Sequence, residues 1–367
     1  MHVGIAETEE EKRAVYRLRY DVYVEEMGRY QLVADHRQRM LYEDCDEHSR
    51  ISYAAVDGEV VATARLTWGG DAPLPQRMID QYGLAPFLAE LPASAIGVGE
   101  RAMVRPHLRG TDLLLKLMGT GMQFANDNRI QLVFGDCEPH LLNLYLGLGQ
   151  RTYSKTNVNS AEAGYLIPLV LVIEDVAYLR QLNSPLLEYV HDFGDDTRIP
   201  ACIQRALAEG SAVMSRSHTT SASYWGEVHS ALSELEANRI SALDGFTEDE
   251  AARCLEKSTI IECQTGDRVL KKGGVARNLF VVLDGTLEVR DGDGVHAVLG
   301  AGDVFGEMAF LLERPRTRDV YAVTNGVRIL SLSEANLRLM IKSDPSVAAH
   351  LLLNISKMLC LRILRER

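Results

Sequence analysis

The chain has 367 residues, of which 46% are hydrophobic and 25% charged, a balance that suits two globular domains and excludes a disordered or fibrous polymer. Its formal charge is −12, and no block of Lys and Arg gathers on one stretch, which argues against a nucleic-acid binder. Six scattered cysteines (Cys45, Cys137, Cys202, Cys254, Cys263 and Cys360), with no C-x-x-C pair and no His at ligand spacing, predict buried thiols and no metal site.

The N-terminus, MHVGIAETEEEKRAV, puts acidic residues where a leader would carry a basic region and an apolar run, so a cytoplasmic chain is expected. Val15, Leu18, Val22 and Tyr23 predict a helix over 12–27. Strands follow over 51–56 and 60–67 around the turn Asp57-Gly58, then over 96–104. A turn at Gly110 leads into a helix through Leu113, Leu114, Leu117, Met118 and Met122. Residues 131–136 read as strand, 141–148 as helix and 163–173 as strand. Such alternation predicts an α/β domain with a mixed sheet.

Residues 174–239 read as a mostly helical connector, broken by a loop over 215–223. Beyond Gly245, short β-rich runs are punctuated by Gly266-Asp267, Gly273-Gly274, Asp284-Gly285, Asp291-Gly292-Asp293-Gly294, Gly302-Asp303 and Asn325-Gly326. Turns this dense predict a small β-roll. Residues 345–367 place Val347, Leu351, Leu352, Ile355, Met358, Leu359 and Ile363 on one helical stripe. No apolar run reaches the roughly 20 residues that a bilayer requires, so no transmembrane span is expected.

Two segments carry chemistry. In Phe305-Gly306-Glu307-Met308-Ala309-Phe310-Leu311, followed by Arg314-Pro315-Arg316-Thr317, Gly306 lets the backbone turn so that the amides of a short helix face an anion. Arg316 supplies the countercharge, and Glu307 can accept from a ribose hydroxyl. This segment resembles the phosphate-binding cassette of the cyclic AMP receptor and protein-kinase regulatory-subunit family. The resemblance implies that Phe305, Gly306, Glu307, Met308 and Ala309 line a ribose-phosphate pocket, that Arg316 pairs with the phosphate, and that Thr317 touches phosphate or base. Arg318 departs from the family's small residue. No helix-turn-helix follows the roll, which argues against a transcription factor.

The second segment is Val104-Arg105-Pro106-His107-Leu108-Arg109-Gly110-Thr111-Asp112, between a strand and a helix. Exposed amides there suit a pyrophosphate or phosphopantetheine phosphate, and the alternative is a plain strand-turn-helix. The stretch resembles motif A of the GNAT acyltransferase superfamily, although Asp112 stands where a last small residue belongs. Leu144-Tyr145-Leu146-Gly147-Leu148-Gly149 is similar to a second GNAT motif. By that resemblance Val104, Arg109, Gly110, Thr111 and Asp112 hold an acyl donor, acyl-CoA or acyl-ACP, and Tyr145 is the general acid. Arg17-Leu18-Arg19-Tyr20-Asp21-Val22-Tyr23, Tyr42-Glu43-Asp44-Cys45-Asp46 and Ala64-Arg65-Leu66-Thr67 resemble autoinducer synthases and long-chain N-acyl amino acid synthases. Arg19, Glu43, Asp46, Arg65 and Arg101 then match the amine side, whereas the bland alternative pairs Arg19 with Glu43 or Asp46 on a surface. Amine attack needs a carboxylate base, and Glu100 is the candidate. In the synthases an acid precedes the strand arginine by three positions, where Val98 stands here, and residues 98 and 100 share one face of a strand. Cys137 is expected to be a buried thiol.

Together these readings predict an α+β chain: a GNAT-like N-acyltransferase domain at 1–175, a helical connector at 176–239 and a cyclic-nucleotide-binding roll at 240–367. The expected activity is acyl transfer to a small amine such as an amino acid, regulated by a cyclic nucleotide, with cAMP the allosteric ligand. The expected partners are the nucleotide, the acyl thioester, the amine and, at most, a second copy in a homodimer. The alternatives are a cAMP-gated protein-lysine acyltransferase and a catalytically inactive nucleotide sensor.

Overall fold

The computed structural model describes residues 1–191, 199–215, 221–233, 241–292 and 294–365. Most of the loop expected over 215–223, the connector's end at 239, residue 240, Asp293 and the last two residues lie outside them. Contacts divide the chain into two units. The first comprises residues 1–137, 144–154 and 166–210, and the second 138–143, 155–165 and 211–367.

In the first unit, helix α1 (Glu9–Arg19) opens on a capping box in which Thr8 Oγ1 accepts from the Glu11 amide and Glu11 Oε2 from the Thr8 amide. A π-helical stretch, Tyr20–Glu26, continues it, so the expected 12–27 helix is present and starts three residues earlier. Its apolar stripe, Val15, Leu18 and Val22, packs on Ile51, Tyr53, Val60 and Met103 of the sheet. Strands β1 (His2–Ile5), β2 (Ser49–Val56), β3 (Glu59–Trp68), β4 (Ile96–Val104), β5 (Leu132–Cys137), β6 (Arg151–Thr152), β7 (Val158–Ser160) and β8 (Gly164–Val172) form one mixed sheet, of which β7 and the first two residues of β8 are grouped with the second unit. Its order is β1-β2-β3-β4-β5-β8-β6, with β7 beside β8. Asp57 (φ +51°) and Gly58 (φ +83°) close the β2–β3 hairpin with two left-handed residues, which matches the strand twist.

The β4–β5 pair is parallel, Ile96 opposite Leu132 through Val98 opposite Phe134. Across the β3–β4 pair the register slips between Thr63–Met103 and Arg65–Glu100, so Ala64 faces two residues. Arg101 takes up the extra length at φ +58°, and this bulge re-aims its side chain. Short helices α2 (Gln76–Gln81) and α3 (Ala85–Leu88) follow β3. They escape a periodicity reading because Pro75, Gly83 and Pro86 interrupt them within a dozen residues. Helix α4 (Leu113–Asp127) buries Leu113 and Leu117 on the sheet, α5 (Leu142–Gly147) follows a 3-10 turn, Pro139–Leu141, and α6 (Val176–Gln181) and α7 (Ala201–Glu209) complete the unit.

The second unit pairs a five-stranded sheet with a four-stranded one. The first has the order β15-β12-β17-β10-β9, formed by β9 (Val213–Ser215), β10 (Thr259–Cys263), β12 (Asn278–Asp284), β15 (Val304–Phe305) and β17 (Val327–Ser333). The second has the order β11-β16-β13-β14, formed by β11 (Arg268–Leu270), β13 (Leu287–Asp291), β14 (Gly294–Leu299) and β16 (Asp319–Ala322). Strand β9 lies in the stretch expected to be helical; its edge pairing with β10 over Val213–Ser215 overrides local preference. Helices α8 (Ser221–Ser233), α9 (Glu248–Cys254), α10 (Glu307–Leu312), α11 (Glu334–Ser343) and α12 (Pro345–Arg365) surround the roll. Of the expected α12 stripe, Val347, Leu351 and Ile355 are buried with Leu255, Ile260, Leu279 and Leu330, Leu352, Met358 and Leu359 are partly buried, and Ile363 is exposed, so the packed stripe ends before the helix does. Over Pro345–Leu364 this helix has the length and mean hydropathy, 1.6, that a bilayer crossing needs, which the shorter apolar run in the sequence had not suggested. Just over a quarter of that window, 28%, is buried in the roll.

Two pieces of the N-terminal half fold with the roll. Asn143 Nδ2 donates to Lys257 O (2.7 Å) and Asn159 Nδ2 to Asp267 Oδ1 (2.6 Å). Arg268 donates to the carbonyls of Ser160 and Ala161, Lys271 to those of Ala161 and Glu162, and Tyr165 Oη to Glu262 O (3.1 Å). Residues 138–143 and 155–165 are thus held by backbone acceptors and polar side chains of β10, β11 and the residues flanking them, from Lys257 to Lys271.

Candidate functional site

The nucleotide cassette is built on β12, β15 and α10. Phe305 stacks on Phe280 across the β12–β15 pair, ring centroids 5.0 Å apart. Gly306 then turns the chain at φ +81°, where a Cβ would stand 2.6 Å from Arg316 Nη1 and 2.9 Å from Asn278 O, so glycine is the residue that fits. Arg316 is 5% exposed. Its Nη1 donates to Gly306 O and its Nη2 to Asn278 O, each at 2.8 Å, while its Nε is buried without a partner. No carboxylate among the described residues forms an ion pair with it. Burial pulls its pKa down to about 10, and Glu307 and Glu138 oppose that pull electrostatically. A buried guanidinium served by two carbonyls and carrying one idle donor suits an anion. Ala309 is buried, and Met308 and Thr317 are exposed. Glu307 Oε1, the expected ribose acceptor, accepts from Arg362 Nη1 of α12 at 3.3 Å, a contact 55 residues away that the sequence does not reveal. Arg318, the departure from the cassette pattern, reaches Asp291 at 3.5 Å.

In the first unit the expected amine-side residues converge. Arg19, 1% exposed, donates through Nη1 to both oxygens of Asp46 (2.9 and 2.8 Å). The pairing weighed for it therefore exists, but in the interior, and its Nε and Nη2 are buried without partners. Arg65 Nη1 reaches Asp46 (3.0 Å) and Glu43 (2.8 Å), and its Nη2 reaches Glu100 Oε2 (2.6 Å). The β3–β4 register imposes the last contact, because Arg65 and Glu100 face one another. Arg101 clasps Glu43 through Nε (2.8 Å) and Nη2 (2.6 Å). Against the upward pull of burial, Arg101 and Arg65 hold Glu43 down at about 2. Burial likewise pushes Glu100 up, but Arg65, Arg77 and Arg101 hold it below its ordinary value.

Four members of this cluster escaped the sequence reading: Arg77, Gln81, Tyr82 and Asp136. Arg77 lies 3.4 Å from Glu100 Oε1. The buried Tyr82 hydroxyl stands 3.0 Å from Asp136 Oδ2 and 3.3 Å from Glu100 Oε1, and Gln81 Nε2 donates to Asp136 Oδ2 at 3.0 Å. Burial, followed by the charge of Glu100, pushes Asp136 up to about 6. A carboxylate closing an apolar strand run was the only signal in the sequence.

On the expected donor side Val104 ends β4, and its carbonyl accepts from Arg109 Nε at 3.1 Å. Arg109 also forks onto Glu26, Nη1 to Oε1 at 2.7 Å and Nη2 to Oε2 at 2.8 Å, so a donor phosphate must displace Glu26 to use it. Gly110 turns at φ +84°, Thr111 Oγ1 donates to Leu108 O, and Asp112 precedes α4 and pairs with Lys116 (2.5 Å). Tyr145 on α5 packs beside Leu148 and Met122; burial first, then Cys137, Tyr23 and Asp136, raise its pKa and keep its proton in place. Cys137 is buried. Among the described residues no three His, Cys, Asp or Glu side chains gather in a group suited to a metal ion.

Residues 260–344 match the family model of the cyclic nucleotide-binding domain. The C-terminal unit carries a cyclic nucleotide-binding domain. Among curated proteins, Glutaminase 2 of Bradyrhizobium diazoefficiens is 35% identical over 31% of this chain and 18% of its own length. A cyclic nucleotide-gated potassium channel of Rhizobium etli is 37% identical over 23% of each, and the cAMP-dependent protein kinase type II regulatory subunit of Drosophila melanogaster 35% over 18% of this chain and 19% of its own. The chain spans about a fifth of the length of these relatives. Among solved structures, the CoA-dependent acyl-homoserine lactone synthase BjaI with SAM and isopentyl-CoA aligns over 55% of this chain and 92% of its own at 19% identity and a TM-score of 0.37. TofI, in a ternary complex with an inhibitor and MTA, aligns over 52% and 100% at 17% identity and 0.40. At those scores the functional reading of the first unit rests on its own residues.

Proposed function

We propose that the chain is an N-acyltransferase, moving an acyl group from a CoA or carrier-protein thioester to a small amine, and that cyclic AMP bound in the second unit regulates it. The 1–175 and 240–367 halves divide these tasks. The observation that carries the reading is the stretch from Asp136 to Glu138. Asp136 belongs to the carboxylate–arginine cluster of the first unit, and two residues on, Glu138 folds with the second unit, where its charge acts on Arg316. One short piece of backbone therefore bears on both candidate sites. A cyclic phosphodiester supplies the anion that Arg316 lacks, and its arrival changes what Glu138 faces.

The first unit's chemistry suits an amine with a carboxylate. The idle donors of Arg19 and Arg65 offer places for an acceptor, and Tyr145 retains a proton for the departing thiolate. Mass spectrometry of extracts from cells overproducing the full chain tests the reading. An N-acyl amine that accumulates over the vector control supports it. Acylated protein lysines in place of a small-molecule product point instead to the protein-lysine reaction, and no acylated product of either kind overturns transferase function.

A further inference from the structure

Resting on the acyl-transfer reading, a sharper assignment concerns the base. Four guanidiniums (Arg19, Arg65, Arg77 and Arg101) crowd the cluster, and the carboxylates that accept their hydrogen bonds are Glu43, Asp46 and Glu100, with Cys45 and Tyr30 as further partners of Arg77 and Arg101. None goes to Asp136. Glu100 is poorly placed to accept a proton, since neutralising it removes the closest partner of Arg65, whose side chain is 0% exposed, and leaves a buried cation undercompensated.

Asp136 sits one strand over, at the end of β5, parallel to the β4 strand that carries Glu100. The strands stay close there, for a Cβ on Gly135 would stand 2.9 Å from Gly99 O. Tyr82 and Gln81 both donate to Oδ2, which fixes the carboxylate plane and leaves Oδ1 without a protein donor among the described residues. The groups facing it are Glu100 and Arg101 from β4, Tyr82 and Gln81 from the end of α2, Tyr145 from α5 and Tyr153 after β6. We propose that Asp136, through Oδ1, is the catalytic residue that takes the proton from the attacking amine.

In the balanced step an ammonium substrate gives Asp136 one proton and attacks the thioester carbonyl. The N–C bond forms, the C–S bond breaks, the second proton ends on the departing thiol, and Asp136 passes the first to solvent. A carboxyl poised near pH 6 by burial and by Glu100 is ionised at neutral pH and still basic enough to serve. Two neighbouring carboxylates, one held low by arginines and one pushed up, divide structural and acid–base roles.

The test uses the full chain with saturating cyclic AMP, octanoyl-CoA and each of the amino acids in turn as the amine, with product read by mass spectrometry. Asp136→Asn is expected to lower kcat by about 10²-fold or more while KM for octanoyl-CoA stays within threefold. The acid limb of the wild-type pH profile, near 6, disappears with it, and Asp136→Glu restores part of the rate. A wild type that forms product and an Asp136→Asn variant that keeps its kcat and acid limb overturn this assignment and leave the transferase reading standing. A wild type inert with every amine removes transfer from octanoyl-CoA to an amino acid, and the role of Asp136 in that transfer with it. An infrared difference spectrum, wild type minus Asp136→Asn, needs no turnover: it should show a carboxylic-acid band titrating near pH 6, and one titrating in the ordinary aspartate range overturns the assignment whatever the activity.

Discussion

Replacing Arg316 by Lys keeps the positive charge of the nucleotide cassette and removes its fork. The wild-type guanidinium spans two carbonyls, Gly306 O and Asn278 O, and has a third, idle donor at Nε. An ammonium on a flexible stem cannot hold both carbonyls and also face a phosphate in one plane. The lost charge-assisted hydrogen bond is worth about 1.5–3 kcal/mol, so affinity for cyclic AMP should fall roughly 10- to 150-fold. Stability without ligand should respond differently. Pulling the guanidinium down to about 10 corresponds to an electrostatic cost on the order of 3 kcal/mol in the empty protein, and lysine relieves part of it by shifting its own pKa. That relief offsets the carbonyl left unserved. The expected result is therefore a large loss of calorimetric affinity with an unliganded melting temperature within a few degrees of wild type. An unchanged Kd would refute Arg316 as the phosphate partner. A variant that no longer folds without nucleotide would refute the claim that its charge is an uncompensated burden.

Three further perturbations follow from the same contacts. Arg362→Ala frees Glu307 from α12, and because the pair is partly exposed and worth about 0.2–1 kcal/mol, cyclic AMP affinity should rise about 1.5- to 5-fold; an unchanged or weaker affinity contradicts Glu307 as a ligand group. Glu26→Ala releases Arg109 for a donor phosphate and should lower KM for acyl-CoA by a similar factor with kcat unchanged, and a raised KM would place Arg109 outside the donor site. Asp136→Asn should change stability with pH. A folded pKa of about 6 lies above the unfolded value, so the folded state binds more protons between the two and the wild type loses stability as pH rises through that window. The variant escapes that loss and should gain up to about 3 kcal/mol relative to wild type at pH 7, and nothing below pH 4, in scanning calorimetry of the first unit's transition. A gain independent of pH would contradict the raised pKa.

The sequence displayed the cassette because its constraints are local. Gly306 needs a left-handed turn with no room for a Cβ, and Arg316 stands ten residues on in a fixed pattern. The amine-side residues were legible as a set through their resemblance to known synthases, and β3–β4 pairing brings Arg65 to Glu100. What stayed hidden depends on distant parts of the chain. Glu100 and Asp136 look alike in sequence, and only the arginines arriving from β3 and α2 separate a paired carboxylate from an unpaired one. The Arg362–Glu307 and Arg109–Glu26 pairs join residues 55 and 83 positions apart. Residues 141–143 read as the start of a helix and 163–165 as the start of a strand, and nothing in the periodicity of 138–143 and 155–165 tells that Lys257, Glu262, Arg268 and Lys271 claim them.

The central claim is that nucleotide occupancy governs acyl transfer through the stretch that joins Asp136 to Glu138. The most direct test is the initial rate of N-acyl product formation as cyclic AMP is titrated, for wild type and Glu138→Ala. Couplings of about 1–3 kcal/mol are typical between linked sites. The account predicts a wild-type rate that changes severalfold or more, with a midpoint at the calorimetric Kd, and a blunted change in Glu138→Ala despite retained nucleotide binding. A rate that stays flat while calorimetry shows the nucleotide bound would contradict it.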